Sequence, residues 1–140
     1  MKRNIFLIAM LAMFSFVGMQ AQETCPFKGV FHNEELNIRC ELNLYEDDIP
    51  VPGLELDTCY GYLKGSINGM WVVLKVKESS DEKFLVRAAS ERGGDAQDLE
   101  FVVKSDSTLE MKQVDGVTIK GVSKNKYVKL PKVVVLTRLK

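Results

Sequence analysis

The stretch Leu36–Leu44 reads LNIRCELNL. Leu36, Ile38, Cys40, Leu42 and Leu44 alternate with Asn37, Arg39, Glu41 and Asn43. A period of two puts one set on a dry face and the other on a wet face, which is the pattern of a half-buried β-strand. Working outward, the same period recurs in Val72, Leu74 and Val76, in Phe84, Val86 and Ala88, and in Leu99, Phe101 and Val103. Leu109 and Met111, then Val117 and Ile119, continue it, and Val133, Val135 and Thr137 end it against Val134, Leu136 and Arg138. These residues, with Phe27 and Leu56, are the expected inward set. The only helix candidate is a single turn near Asp95–Leu99.

Turn signals separate the runs. Asn68-Gly69 and Asp115-Gly116 suit two-residue hairpins, in which both residues take positive φ. Ser79-Ser80-Asp81, Arg92-Gly93-Gly94-Asp95 and Ser105-Asp106-Ser107 mark looser turns. Short connections make sequential strands antiparallel neighbours, and a long meander removes its exposed edges by closing. The expectation is an all-β chain forming one small antiparallel up-and-down β-barrel of about eight or nine strands. A two-sheet β-sandwich is the second choice.

The chain opens with Lys2 and Arg3, followed by Ile5–Val17, apolar except for Ser15. A basic start, a short apolar run and the small residue Ala21 match a secretory signal peptide. The run is shorter than the roughly 20 residues that a spanning helix needs. Residues 1–21 are therefore expected to be removed, leaving 22–140 as a single barrel domain with no stable membrane anchor, in the periplasm or secreted. Bases and acids number 19 each. Loss of Lys2 and Arg3 leaves a slight acidic excess, which does not suggest nucleic-acid binding. Lys120, Lys124, Lys126, Lys129, Lys132, Arg138 and Lys140 lie in a tail that has no acid from Val117 onward. Spread over two strands, they read as a solvated outer face.

Gly29-Val30-Phe31 near the expected mature start and Arg138 near the end give one resemblance. Lipocalin-like, or calycin-type, barrels carry Gly-x-Trp on the first strand and a late arginine that packs on that ring. This chain resembles them at Gly29 and Arg138, with Phe31 in place of the tryptophan. The resemblance implies a closed barrel in which Arg138 covers Phe31, and it carries over no ligand-binding residues.

Three cysteines would meet an oxidising compartment. If His32-Asn33 forms a two-residue turn, Cys25 faces Cys40 across the first hairpin. Cys25–Cys40 is then the expected disulfide, with Cys25–Cys59 the alternative. Cys59 falls on the opposite face from Cys40. No catalytic, cofactor or metal set is legible: no His/Cys spacing fits zinc, and Glu46-Asp47-Asp48 lacks the alternating oxygens of a calcium loop.

What remains is recognition. In Tyr45–Gly53, YEDDIPVPG, Pro50 and Pro52 hold Ile49 and Val51 extended. The segment either lids the barrel or contacts a partner. Tyr45, Asp47, Ile49, Val51 and Trp71 form the candidate contact set. The expected function is that of an exported non-enzymatic binding protein, inhibitor-like or an envelope interaction module, with an unidentified protein partner. The alternative is a lipocalin-like barrel holding a small apolar ligand.

Overall fold

The alternating runs pair in sequence order. The computed structural model describes residues 25–139, without the side chains of residues 55 and 56, so the expected signal peptide and the inward assignment of Leu56 lie outside it. Among the described residues there are strands β1 (Lys28–Asn33), β2 (Ile38–Asn43), β3 (Ile49–Val51), β4 (Leu54–Cys59), β5 (Gly61–Gly65) and β6 (Trp71–Ser79). Then follow β7 (Lys83–Ser90), β8 (Ala96–Ser105), β9 (Thr108–Gly116), β10 (Lys120–Ser123), β11 (Lys126–Lys129) and β12 (Val133–Arg138). Eight of them close a barrel in the order β1-β12-β9-β8-β7-β6-β5-β2. Every neighbouring pair is antiparallel, so the chain is an all-β up-and-down barrel. Closure comes from Phe31 opposite Arg138 and His32 opposite Thr137. The Arg138 guanidinium lies 4.8 Å from the Phe31 ring centre, and its Nη1 donates to the Lys28 carbonyl at 2.6 Å. One cation thus ties the last strand to the first by stacking and by a charge-assisted hydrogen bond.

Two hairpins interrupt the meander. β3–β4 is inserted between β2 and β5, and β10–β11 between β9 and β12. The end of the barrel where β2 stops, and where β6 turns into β7, holds the 80–82 and 106–107 turns and the chain's first described residues. We call this the open end. The opposite end is closed by the base of β10–β11. Ile119, Leu130 and Ile67 are buried there in the main core, and Ile67 bridges Gly121. Buried Gln97 and Gln113 anchor the approach. Gln97 Nε2 donates to Gln113 Oε1 at 3.2 Å and to the Val117 carbonyl at 3.0 Å, and the Ile119 N–H donates to Gln113 Oε1 at 2.8 Å.

The interior is full. Phe31, Leu63, Val73, Val86, Leu99, Phe101, Met111 and Leu136 are completely buried. Eight strands enclose only enough space for side chains or one small ligand, and here side chains take it.

Several expected orientations are reversed. Trp71 and Val73 face inward, while Val72 faces out and Leu74 is 57% exposed. A bulge at Leu74, between the pairs Val73–Ala88 and Lys75–Arg87, then restores Val76 to the inside. On β12, Val134 and Leu136 face inward rather than Val133 and Val135. All four are apolar, so the strand's own pattern sets no phase. The phase comes from β9, where Met111 and Leu109 oppose Val134 and Leu136, and Lys112 and Glu110 oppose Val133 and Val135. Val117 is exposed. The expected helical turn near Asp95–Leu99 is the start of β8.

Asp115-Gly116 is no hairpin turn; it ends β9, and a Cβ on Gly116 would strike the Ala96 carbonyl oxygen. The two-residue turn with positive φ at both positions is Lys124-Asn125, at 52° and 65°.

The first hairpin also has a different register. Phe31 pairs with Cys40 and Asn33 with Ile38, leaving Glu34–Asn37 as the loop. Cys25 therefore precedes the ladder instead of facing Cys40. All three cysteines are free, and neither the Cys25–Cys40 nor the Cys25–Cys59 bond is present. Cys40 is in the main core, and Cys59 packs with Tyr62 and Val72 on the other side of the wall.

Candidate functional site: the outer-wall groove

Asn43 fixes the entry to the β3–β4 hairpin. Its Nδ2 donates to Asp48 Oδ1 at 2.9 Å, and its Oδ1 accepts from the Tyr45 N–H at 3.2 Å. The three acids are thereby wound into a turn, and the chain emerges as Ile49-Pro50-Val51. Pro50 lacks an N–H, and the register slips between Pro50 and Val51, so the ribbon is short and bent. It folds down the outside of β5 and β6. Val51 and Cys59 are buried against Tyr62 and Val72, and Ile49 and Met70 pack at the margin. The segment therefore covers the outer wall and not the barrel mouth.

The Cys59 thiol lies 3.4 Å from the Ile49 carbonyl and 3.3 Å from that of Gly61. Burial raises its pKa, only partly offset by the Gly61 contact, so it is a poor nucleophile at neutral pH. Burial, together with the Tyr62 hydroxyl's hydrogen bond to Glu41 at 2.9 Å, pushes the Tyr62 pKa to about 12.

Between this hairpin and the strands beneath it runs a groove of about 820 Å³. Val72 and Ala89 lie along it, Leu54 and Leu74 are its exposed apolar residues, and Asp57 and Glu91 supply charge. Glu91 Oε2 accepts from the Met70 N–H at 2.7 Å and the Glu91 N–H donates to the Met70 carbonyl at 2.8 Å, tying the loops together at one end.

Of the expected contact set, the structure brings Ile49 and Val51 together beside this groove. Val51 lines it, whereas Asp47 is exposed on the preceding turn. Trp71 is in the core, with no protein acceptor for its indole N–H. Tyr45 belongs to the open end. Its hydroxyl accepts from the Phe27 N–H at 3.2 Å, and its ring centre is 5.5 Å from that of Phe84. The Phe27 and Phe84 ring centres lie 4.5 Å apart, the rings tilted by 45°, beneath a cup of about 780 Å³ rimmed by Ser79, Ser80, Asp81, Ser105 and Asp106. The sequence reading missed Leu54 and Leu74 as surface residues. Leu74 is exposed because it shares the outward phase of Val72, and in an all-apolar run from Trp71 to Leu74 hydrophobic periodicity does not mark that phase.

His32 lies on β1 opposite Arg39 and Thr137, and so is not part of a two-residue turn. Among the described residues no group of three or more His, Cys, Asp or Glu side chains could hold a metal ion.

The architecture defines a class, the small closed antiparallel up-and-down barrel with a filled interior and two inserted hairpins. Comparison with protein-family models, with curated proteins and with solved structures gives no match to this chain.

Proposed function

We propose that this chain is an exported, non-enzymatic binding protein that recognises a protein partner at the outer-wall groove. The observation that carries the reading is the pair Leu54 and Leu74, 55% and 57% exposed beside the same apolar channel. Isolated exposed leucines are ordinary. Two lining one groove, with carboxylates at hand, resemble an apolar contact centre within a polar rim. The filled interior supports recognition on the exterior. The basic start and short apolar run of residues 2–17 support export. Kinship with lipocalin-like barrels is supported by closure and by the Arg138–Phe31 stack, and it adds no ligand.

The test is partner capture by the chain, followed by mass-spectrometric identification and measurement of the affinity. Leu54→Arg and Leu74→Arg together are expected to weaken binding at least about 30-fold, as loss of a contact centre does, with little change in melting. Undiminished affinity overturns the assignment of the groove.

A second reading is that the open-end cup holds a small apolar ligand. The Phe27–Tyr45–Phe84 cluster beneath it favours this. A co-purifying small molecule displaced by Phe84→Ala would support the cup; a ligand retained by that variant would exclude it.

A further inference from the structure

The β10–β11 ribbon is built unlike the rest of the surface. Lys120 stands directly opposite Lys129, and Val122 directly opposite Tyr127. Directly paired residues share a face with their side chains roughly 5 Å apart, and like charges so placed repel. Val122 is 37% exposed and Tyr127 59%. Lys124 and Lys126 lie at the turn, and Lys132 follows the ribbon. The five lysines, which the sequence reading left as a dispersed solvated face, are thus gathered on and beside one projecting element. The four ion pairs found among the described residues join Lys77 and Arg87 to Asp98, Lys83 to Glu100, and Lys104 to Glu110, and none includes a ribbon lysine.

We propose that this ribbon is a docking surface for an anionic lipid bilayer, with Lys120 and Lys129 against the headgroups and Tyr127 and Val122 at the interface. Three features select that occupant. The charges are all lysine, and an ammonium is a point charge suited to a diffuse anionic surface, whereas bidentate recognition of phosphate or carboxylate favours arginine. The apolar residues lie between the lysine pair and the turn, so that one exposed face carries both charge and an amphipathic ring, as interfacial segments do. The ribbon's tip projects, and only Lys129 and Leu130 at its base border a cleft, of about 350 Å³, which they share with Asp115 and Lys132; a carboxylate there does not suit a small anion, whereas the projecting face suits a broad surface. The repulsion between Lys120 and Lys129 is relieved when an anionic surface meets them.

The experiment is co-sedimentation of the full chain with vesicles of phosphatidylcholine alone and with about 30 mol % phosphatidylglycerol. The expected result is binding to the anionic vesicles that falls with added salt. Each lysine near such a surface contributes roughly fivefold. Lys120→Gln with Lys129→Gln is therefore expected to lower binding about 25-fold and Tyr127→Ser several-fold. The double change removes a repulsive pair, so its melting temperature should be unchanged or raised. Any contribution of the apolar residues 5–17 is the same in wild type and variant. A loss of less than about tenfold in the double variant, or equal binding to neutral vesicles, overturns the proposal. So does tighter capture of DNA than of anionic vesicles at the same salt.

Discussion

The two inserted hairpins face the same difficulty and solve it differently. An isolated two-stranded ribbon is marginally stable at best. β3–β4 gains its stability through side chains, with Val51 and Cys59 laid on the outside of the barrel against Tyr62 and Val72. β10–β11 gains it through its base. The Asn68 N–H donates to the Lys120 carbonyl at 2.8 Å, the Val122 N–H donates to the Ser66 carbonyl at 2.9 Å, and Ile119 and Leu130 are buried below. Its upper part keeps Tyr127 and Val128 exposed among lysines. One hairpin is completed by its own molecule. The other presents a charged and apolar face that nothing among the described residues covers.

The largest expected contrast is in thiol chemistry. Cys25 is exposed, whereas Cys59, on the wall hairpin, is buried against Tyr62 and Val72, and Cys40 is inside the barrel. Burial raises the pKa of both Cys40 and Cys59. Maleimide should modify Cys25 at the rate of a free thiol, and the other two about a thousandfold more slowly, through local opening. All three should react in denaturant without reductant. Fewer than three would mean that a disulfide exists, and loss of Cys40 to it would mean that the first-hairpin register is wrong.

Next in size is burial. Ile49→Ser with Val51→Ser should cost about 2–4 kcal/mol. For a domain of this size each 1 kcal/mol lowers the melting midpoint by about 3–6 °C. The matched change on the other hairpin, Val122→Ser with Tyr127→Ser, should cost under about 0.5 kcal/mol. Equal losses would erase the distinction between the hairpins.

A smaller effect tests the β6–β8 wall of the barrel itself. Asp98 is buried while accepting from Lys77 Nζ at 2.7 Å and Arg87 Nη1 at 2.8 Å. Burial pushes its pKa up, but the two cations outweigh that and hold it below the usual carboxylate range. A depressed folded pKa contributes stability that is complete above the unfolded value near ~4 and is lost as pH falls through the folded value. Both cations are more than a third exposed, so screening reduces the pairs' contribution. Asp98→Asn should cost about 1–2 kcal/mol at neutral pH, and the deficit should shrink as acid is added. A deficit independent of pH would contradict the role given to the charge.

The barrel was legible because Ile38–Leu42 keeps strict alternation, because Phe84–Ala88 and Leu99–Val103 repeat the period with one apolar intruder each (Leu85 and Val102), and because short turns leave few topologies. Its phase was legible only where polar residues marked the wet face. Val133–Leu136 carries no such mark, and the β6 bulge breaks the period at Leu74. The first hairpin register failed for a related reason: Glu34–Asn37 closes a four-residue loop with Asn37 at φ 53°, a conformation that neither Gly nor Pro announces. The groove was half legible. The proline-flanked Ile49 and Val51 drew attention to the segment that borders it, but the surface it covers depends on which faces of β5 and β6 point outward. The lysines were visible in the sequence; their gathering on one ribbon depends on a Lys124-Asn125 turn that lacks glycine.

Side-chain footprinting of the free chain by hydroxyl radicals, read residue by residue, tests the difference between covered and uncovered surface most directly. The account predicts strong oxidation of Tyr127, Leu54 and Leu74 and protection of Val51, Val134 and Leu136. Trp71, intrinsically among the most easily oxidised side chains but 3% exposed here, should be protected too. Rapid oxidation of Trp71 and Val51, with Tyr127 protected, would contradict it.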